Sequence, residues 1–233
     1  MAACSKLWSK WAKTAMKLID LSQPLFDGAP NCPAHPPVRI ERLSDHPRDG
    51  WRVESFSAAS HTGSHVDAPL HRLKDGNPID AIPLASFAGP AFIADLRGSL
   101  ADAPITSRSL EPSLPHPLAD TIVLLATGWG QRRAKTEEWL YHSPYLAPDG
   151  AQWLVDRKVR GVGIDHYSIG GSRDPVNART HDILLGAGIW IVEELCFPPE
   201  IFALPQPLEF WSLPINLAGH SGAFCRPVVR VSQ

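Results

Sequence analysis

Apolar and polar positions alternate, or run in short blocks, along most of this chain, and few blocks are long enough for a helix. Lys17 to Ser22 alternates and is strand-compatible. Val38 to Leu43 and Trp51 to Ser57 read as two more strands, separated by a polar stretch ending in the turn pair Asp49-Gly50. Pro90 to Leu96 and Thr121 to Ala126 are short apolar runs, the second suited to a buried strand. Arg133 to Tyr141 has a helical composition. Pro148 to Lys158 is a clearer helix, with Asp149 near its start and Trp153 and Leu154 on one face. Val159 to Asp165 predicts a strand, and Ala178 to Leu185 a short helix capped by Asn177. Gly186-Ala187-Gly188 ends that helix, and Ile189 to Glu193 is the next strand. Leu213 to Leu217 and Arg226 to Val231 predict closing strands. Strands outnumber helices, and the helices fall mainly in the second half. That order predicts a mixed α/β domain rather than a regular doubly wound sheet.

Composition refines this picture. Proline supplies 23 of the 233 residues, about twice average usage, so rigid turns and long surface connections are expected. Gln23 to Pro37 and Ala101 to Pro117 are such connections. Strands flank the second one, so the chain is not divided there. The chain is 44% hydrophobic and 20% charged, as a globular protein with a sizeable core should be. Residues 1–17 form a basic arm with Lys6, Lys10, Lys13 and Lys17 and no acidic residue, set apart from a main domain over 18–233. The arm is expected to pack on that domain or on a second subunit. A formal net charge of −2 gives no reason to expect nucleic acid as a partner. No apolar run is long enough to span a membrane. Cys4, Cys32, Cys196 and Cys225 make no C-x-x-C pair and read as free thiols of a reducing compartment, the cytoplasm.

The candidate chemistry is concentrated in Ser60-His61-Thr62-Gly63-Ser64-His65-Val66-Asp67-Ala68-Pro69-Leu70-His71. Three of the ten histidines and an Asp fall within eleven residues, all at odd positions. In an extended strand those positions share a face. A straight strand fails, however, because His61 to Asp67 would span roughly 20 Å, too far for one ion. Gly63 and Pro69 permit the chain to curl. A curled His-x3-His-x-Asp then offers two imidazoles and a carboxylate to one centre, a donor set suited to Zn, Mn or Fe. His71 would remain beside it as a proton carrier. Read without these neighbours, the stretch is also compatible with a polar loop.

His61-Thr-Gly-Ser-His65-Val-Asp67-Ala-Pro69-Leu-His71 resembles the H-x-G-T-H-x-D-x-P-x-H signature of the cyclase family, with Ser64 where Thr is usual. That family includes bacterial-type kynurenine formamidases and isatin hydrolases. His181 and Glu193, twelve residues apart with Glu193 opening Glu-Glu-Leu195, resemble its later His and Glu. Leu18-Ile-Asp-Leu-Ser-Gln-Pro24, Thr127-Gly-Trp129 and Gly163-Ile-Asp165 are smaller echoes.

The resemblance implies a swivelling β/β/α-like domain with more strand than helix, usually assembled as a homodimer or homotetramer. It implies a metal-activated water that hydrolyses an amide-type C–N bond in a small-molecule substrate: an aryl formamide, a cyclic imide or an isatin-like lactam. In the formamidases resembled, two zincs are held by the residues matching His61, His65, Asp67, His181 and Glu193. Isatin hydrolase-like relatives hold one Mn with the first three. His71 matches the residue that shuttles the proton. Cys32 takes the place of a substrate-contacting Trp of the formamidase branch, which argues against N-formylkynurenine. Trp129, at the end of a buried strand, either stacks on substrate or fills core space. His166 and Tyr167, at another strand end, are further substrate contacts by position. Metal-dependent cyclisation or dehydration, lactone hydrolysis, and metal binding without catalysis are the rival readings.

Overall fold

A computed structural model describes residues 16–115 and 117–231. Residues 1–15, most of the basic arm, lie outside the described residues, as does Cys4. The chain contributes β1 (Lys17–Asp20), β2 (Arg39–Ser44), β3 (Val53–Ser57), β4 (His65–Asp67), β5 (Ala88–Asp95), β6 (Pro104–Ile105) and β7 (Ile122–Ala126). These are followed by β8 (Tyr145–Leu146), β9 (Gly161–Ile164), β10 (Trp190–Glu193), β11 (Leu208–Trp211), β12 (Gly222–Phe224) and β13 (Val228–Val231). The two longer helices are α1 (Pro148–Asp156) and α2 (Val176–Gly186).

Nine strands form one mixed sheet in the order β1-β13-β11-β5-β7-β9-β10-β4-β12. Its centre, β5-β7-β9-β10, is parallel, and its flanks are antiparallel. The architecture is the mixed α/β, swivelling type. The central strands are buried on both faces, which is why Ile122 to Ala126 reads as an unbroken apolar run. Ile122, Leu124 and Ala126 face one core cluster, together with Phe87, Trp190 and Phe210. Val123 and Leu125 face a second cluster, where Trp153 and Leu154 of α1 and Leu184 and Leu185 of α2 cover the sheet. Strands β2 and β3 form a separate two-stranded hairpin, on which Ile40, Leu43, Val53 and Phe56 stand exposed. Among the described residues no helix is long and apolar enough to cross a membrane.

Four expectations need correction. Ala101 to Pro117 is not simply a surface loop. Ile105, Leu110 and Leu114 are buried, β6 pairs with β8, and Ser107–Leu110 is a helical turn closed by a Thr106/Ser109 capping box. Its prolines open these short elements instead of preventing them. Only Glu137–Tyr141 of the Arg133 to Tyr141 stretch is α-helical. Asn177 is not a cap but lies inside the first turn of α2. Leu213 to Leu217 is irregular, held by a single bridge from Pro214 to Cys225, since proline has no N–H to donate to a ladder. The strand that joins β13 to β5 is β11.

A Cβ at Gly161 would stand 2.4 Å from the Trp190 ring. That ring is fixed by its indole N–H, which donates to the Ser86 carbonyl at 3.0 Å. Gly161→Ala should therefore lower stability by about 1–3 kcal/mol, as overpacking does, read from the urea unfolding midpoint. Gly186→Ala has open space around it and should stay within about 0.5 kcal/mol of the parent.

Candidate metal centre

The signature segment is extended only over His65–Asp67. Before it the chain turns, with Gly63 in the left-handed region at φ 65°. A Cβ there would be strained and would also meet the Leu25 side chain at 2.6 Å. After it, Pro69–His71 forms a 3-10 turn that brings His71 back over His61, the two rings stacked 4.0 Å apart. Within β4, His65 and Asp67 are two residues apart and share a face. Antiparallel pairing sets His65 opposite Glu193, while Val66 and Val192 point into the core on the other face. His181 arrives from α2, one turn before Leu184 and Leu185, which anchor that helix on the sheet.

Four side chains meet here. His65 Nε2 lies 3.3 Å from Asp67 Oδ1 and 3.6 Å from Glu193 Oε2. His181 Nε2 lies 3.4 Å from Glu193 Oε1 and 3.7 Å from Asp67 Oδ2. Backbone carbonyls fix both rings. His65 Nδ1 donates to Gly63 O at 2.7 Å and His181 Nδ1 to Asn177 O at 2.9 Å. With Nδ1 protonated, each Nε2 of a neutral ring presents a lone pair to two carboxylates. Lone pairs facing carboxylates in a buried site call for a positive charge between them, either a proton on each Nε2 or a metal ion. Asp67 Oδ2 is buried without a hydrogen-bond partner, which marks the same need. The donor set, two imidazoles and two carboxylates each oriented by a further hydrogen bond, fits a divalent metal.

Without an ion, protons take that place. Burial alone would lower His65 and His181, but Asp67 and Glu193 bring both up to about 9. Burial pushes Glu193 up and nearby Asp67 adds to it, while Asp67 itself, despite its burial, is held well below the usual carboxylate range by His61 and His65. His61 meets the centre differently. Its Nδ1 is 2.7 Å from Asp67 Oδ1 and its Nε2 is 2.8 Å from Ser221 Oγ, so both nitrogens are engaged. The ring nitrogens of His71 have no hydrogen-bond partner among the described residues, and burial lowers the ring to about 4, leaving it neutral.

The centre opens into a cavity of about 340 Å³. Cys32, Pro33, Ala34 and His35 line it from the Pro-rich 23–37 connection, the lid segment. His61, His65, His71, His181 and Glu193 line the floor, and Tyr167, Ser168 and Tyr141 the wall. Thus Cys32 and Tyr167 reach the cavity. Trp129 and His166 do not. Trp129 is buried in a cluster with Trp139, under the Arg132 guanidinium. His166 is fully buried, with Ser143 Oγ 3.0 Å from Nδ1 and the Trp139 carbonyl 2.8 Å from Nε2. Arg72, Tyr141, Asn177 and His35 also line the cavity and are not among the candidate site residues of the sequence, where Asn177 reads only as a helix cap. The first two follow a candidate residue or end a short helix, and only position Arg72, next to His71, offered a signal.

Residues 19–170 match the family described as "Putative cyclase". A kynurenine formamidase from Salinibacter ruber (strain DSM 13855 / M31) is 31% identical over 217 residues, which cover 92% of this chain and 98% of that protein. Among solved structures, isatin hydrolase A from Ralstonia solanacearum superposes with a TM-score of 0.82 at 25% identity, covering 98% of this chain and 97% of that one. A potential metal-dependent hydrolase with cyclase activity gives 0.76 at 27% identity, covering 94% of this chain and 100% of that one.

Metal content should follow this geometry. Asp67→Ala is expected to remove nearly all bound divalent metal and Glu193→Ala at least part of it. His166→Gln, outside the cavity, should keep it. Elemental analysis of the purified variants decides: full metal in both carboxylate variants would refute the centre described here.

Proposed function

The chain belongs to the cyclase family, and from that premise we propose that it is a metal-dependent hydrolase of amide-type C–N bonds acting at the centre around Asp67. The observation that carries this reading is the buried meeting of two imidazole lone pairs with two carboxylates, one oxygen unpartnered, on the floor of a small-molecule cavity. His65, Asp67, His181 and Glu193 would hold the metal, zinc or manganese, as one ion or two. His61, with Nδ1 2.7 Å from Asp67 Oδ1, would orient that carboxylate. A divalent metal there supplies Lewis acidity, which lowers the pKa of a water and polarises the scissile carbonyl.

The protein's own groups do the rest. His71 stands over His61 with both ring nitrogens unengaged, and its neutral form at pH 7 is the form that accepts a proton. It takes a proton from the attacking water as the C–O bond forms. It returns that proton to the nitrogen as the C–N bond breaks, so the amine leaves neutral. The lid would limit the access of bulk water, and Tyr141 and Tyr167, which line the cavity, would flank the substrate. Because the lid residues Cys32, Pro33, Ala34 and His35 include no Trp, Tyr or Phe as a stacking platform, the reading favours a cyclic imide, an isatin-like lactam or a compact aryl formamide.

A kinetic panel of N-formylkynurenine, aryl formamides, cyclic imides and isatin-like lactams tests the substrate class. N-formylkynurenine is expected to give a lower kcat/KM than at least one other member. If it ranks first, the reading of the lid is wrong.

His71→Ala should keep its fold and its metal while losing turnover by roughly a hundred- to ten-thousand-fold, the usual cost of removing a general acid–base group. Metal content and maximal rate are measured on the same preparation. A variant that lost metal, and regained full rate when metal was added in excess, would assign His71 to ligand support instead.

A further inference from the structure

Glu194 follows Glu193 and takes no part in the chemistry above, yet its side chain is only 1% exposed. Its backbone sits at φ 51°, in the left-handed region that is unfavourable for a residue with a side chain. Such a conformation persists only where its surroundings fix it: the N–H, the carbonyl and Oε1 of Glu194 are hydrogen-bonded, and Oε2 is paired by charge alone. The N–H donates to the His166 carbonyl at 2.8 Å, and the carbonyl accepts from Ser64 Oγ at 2.8 Å. Oε1 accepts the Gly63 N–H at 3.1 Å, and Oε2 lies 2.7 Å from Arg133 Nε as a buried ion pair.

Arg133 is almost as buried, at 6% exposure. Its two terminal nitrogens donate to the carbonyls of Pro24, at 2.8 Å, and Pro30, at 2.6 Å. Both carbonyls belong to the segment that carries Cys32–His35 across the cavity. That segment contains Pro24, Pro30, Pro33, Pro36 and Pro37, none of which has an N–H. It is therefore best held through its carbonyls, and a guanidinium has enough donors to take two of them and a carboxylate at once. Gln23 ties the start of the segment to the fold, its N–H donating to Ser64 Oγ at 2.8 Å and its side-chain amide to the Gly130 carbonyl at 2.7 Å, while Gly28 to the Val38 carbonyl and Asn31 to the Pro36 carbonyl shape the part beyond it.

We propose that Arg133 and Glu194 form a latch that fastens the lid to the turn positioning His65, so that Arg133 sets substrate affinity without touching substrate. This rests on reading the cavity as the hydrolase's substrate site. Arg133 and Glu194 are positioning residues, and their effect reaches the substrate through the placement of Cys32–His35.

Two variants test the latch in the full chain. Arg133→Lys keeps a cation opposite Glu194 but cannot span both carbonyls. The double variant Arg133→Met with Glu194→Gln removes both charges together, leaving neither buried alone. Both are expected to retain their metal. In both, hydrogen exchange of amides in residues 26–35 should accelerate about tenfold or more, the behaviour of a segment freed to open locally. On the best panel substrate KM should rise by about tenfold while kcat changes less than about threefold, the pattern of lost uniform binding. Arg133→Lys should be the milder of the two. If the double variant fails to fold, Arg133→Lys alone decides. Unchanged exchange over 26–35 in a folded, metal-loaded variant overturns the latch, as does a fall in kcat at constant KM. If the unaltered protein hydrolyses nothing on the panel, the functional reading fails while the exchange comparison still decides the latch.

Discussion

The antiparallel register between β4 and β10 is the constraint on which the rest depends. It sets His65 opposite Glu193 and Asp67 opposite Ile191. The period of a strand then does two things at once. Val66 and Val192 enter the core on one face, and His65, Asp67 and Glu193 gather on the other. A slip of one residue would send the ligands into the apolar core and the valines into the cavity, so packing and chemistry enforce the same pairing. β4 has only three residues, but its neighbours on both sides, β10 and β12, pair with all three. His181 depends on the same sheet, because α2 is placed by Leu184 and Leu185 packing beside Ile191.

Much of this was legible in the sequence because it rests on short periods. The odd-numbered spacing of His61, His65, Asp67 and His71 suggested a shared face, and the distance argument required a curl. The structure forms that curl at Gly63 and Pro69. The unbroken apolar run of β7 and the amphipathic pattern of α1 were equally plain. What was not legible depends on contacts between distant segments. A polar residue at the end of a buried strand points either to the cavity or back into the fold. His166 does the second, because Ser143 and the Trp139 carbonyl occupy its two nitrogens, while its neighbour Tyr167 reaches the cavity. Trp129 likewise finds Trp139 and Arg132 before it could find a ligand. Strands β11 and β12 are short, and no strong alternation announces them.

The centre and His71 are separated by environment, although their residues are interleaved in the sequence. His65 and His181 each have one nitrogen fixed by a backbone carbonyl and the other aimed at two carboxylates, which favour a positive charge at that point. His71 is four residues beyond Asp67 and has neither feature. Burial beside other imidazoles holds it neutral. Three histidines of one sequence motif and a fourth from a helix thus divide into rings that face carboxylates and a ring held neutral. The division follows from which of them a carbonyl and a carboxylate can reach.

Proline and arginine solve a related problem on the lid side. A lid made rigid by proline has little conformational freedom to lose when it closes over a substrate, but it also has few N–H groups with which to join a sheet. Its attachment must then come from donors elsewhere. Arg133 provides them, and a buried guanidinium in turn requires a carboxylate. Placing that carboxylate directly after Glu193, in a strained backbone conformation held by Gly63, Ser64 and His166, ties the lid to the ligand-bearing strand end and turn. The same Gly63 that lets the signature turn curl donates to Glu194 and leaves room for Leu25 of the lid segment. Substrate cover and metal site therefore share one small set of buried polar contacts, and neither can shift far without disturbing the other.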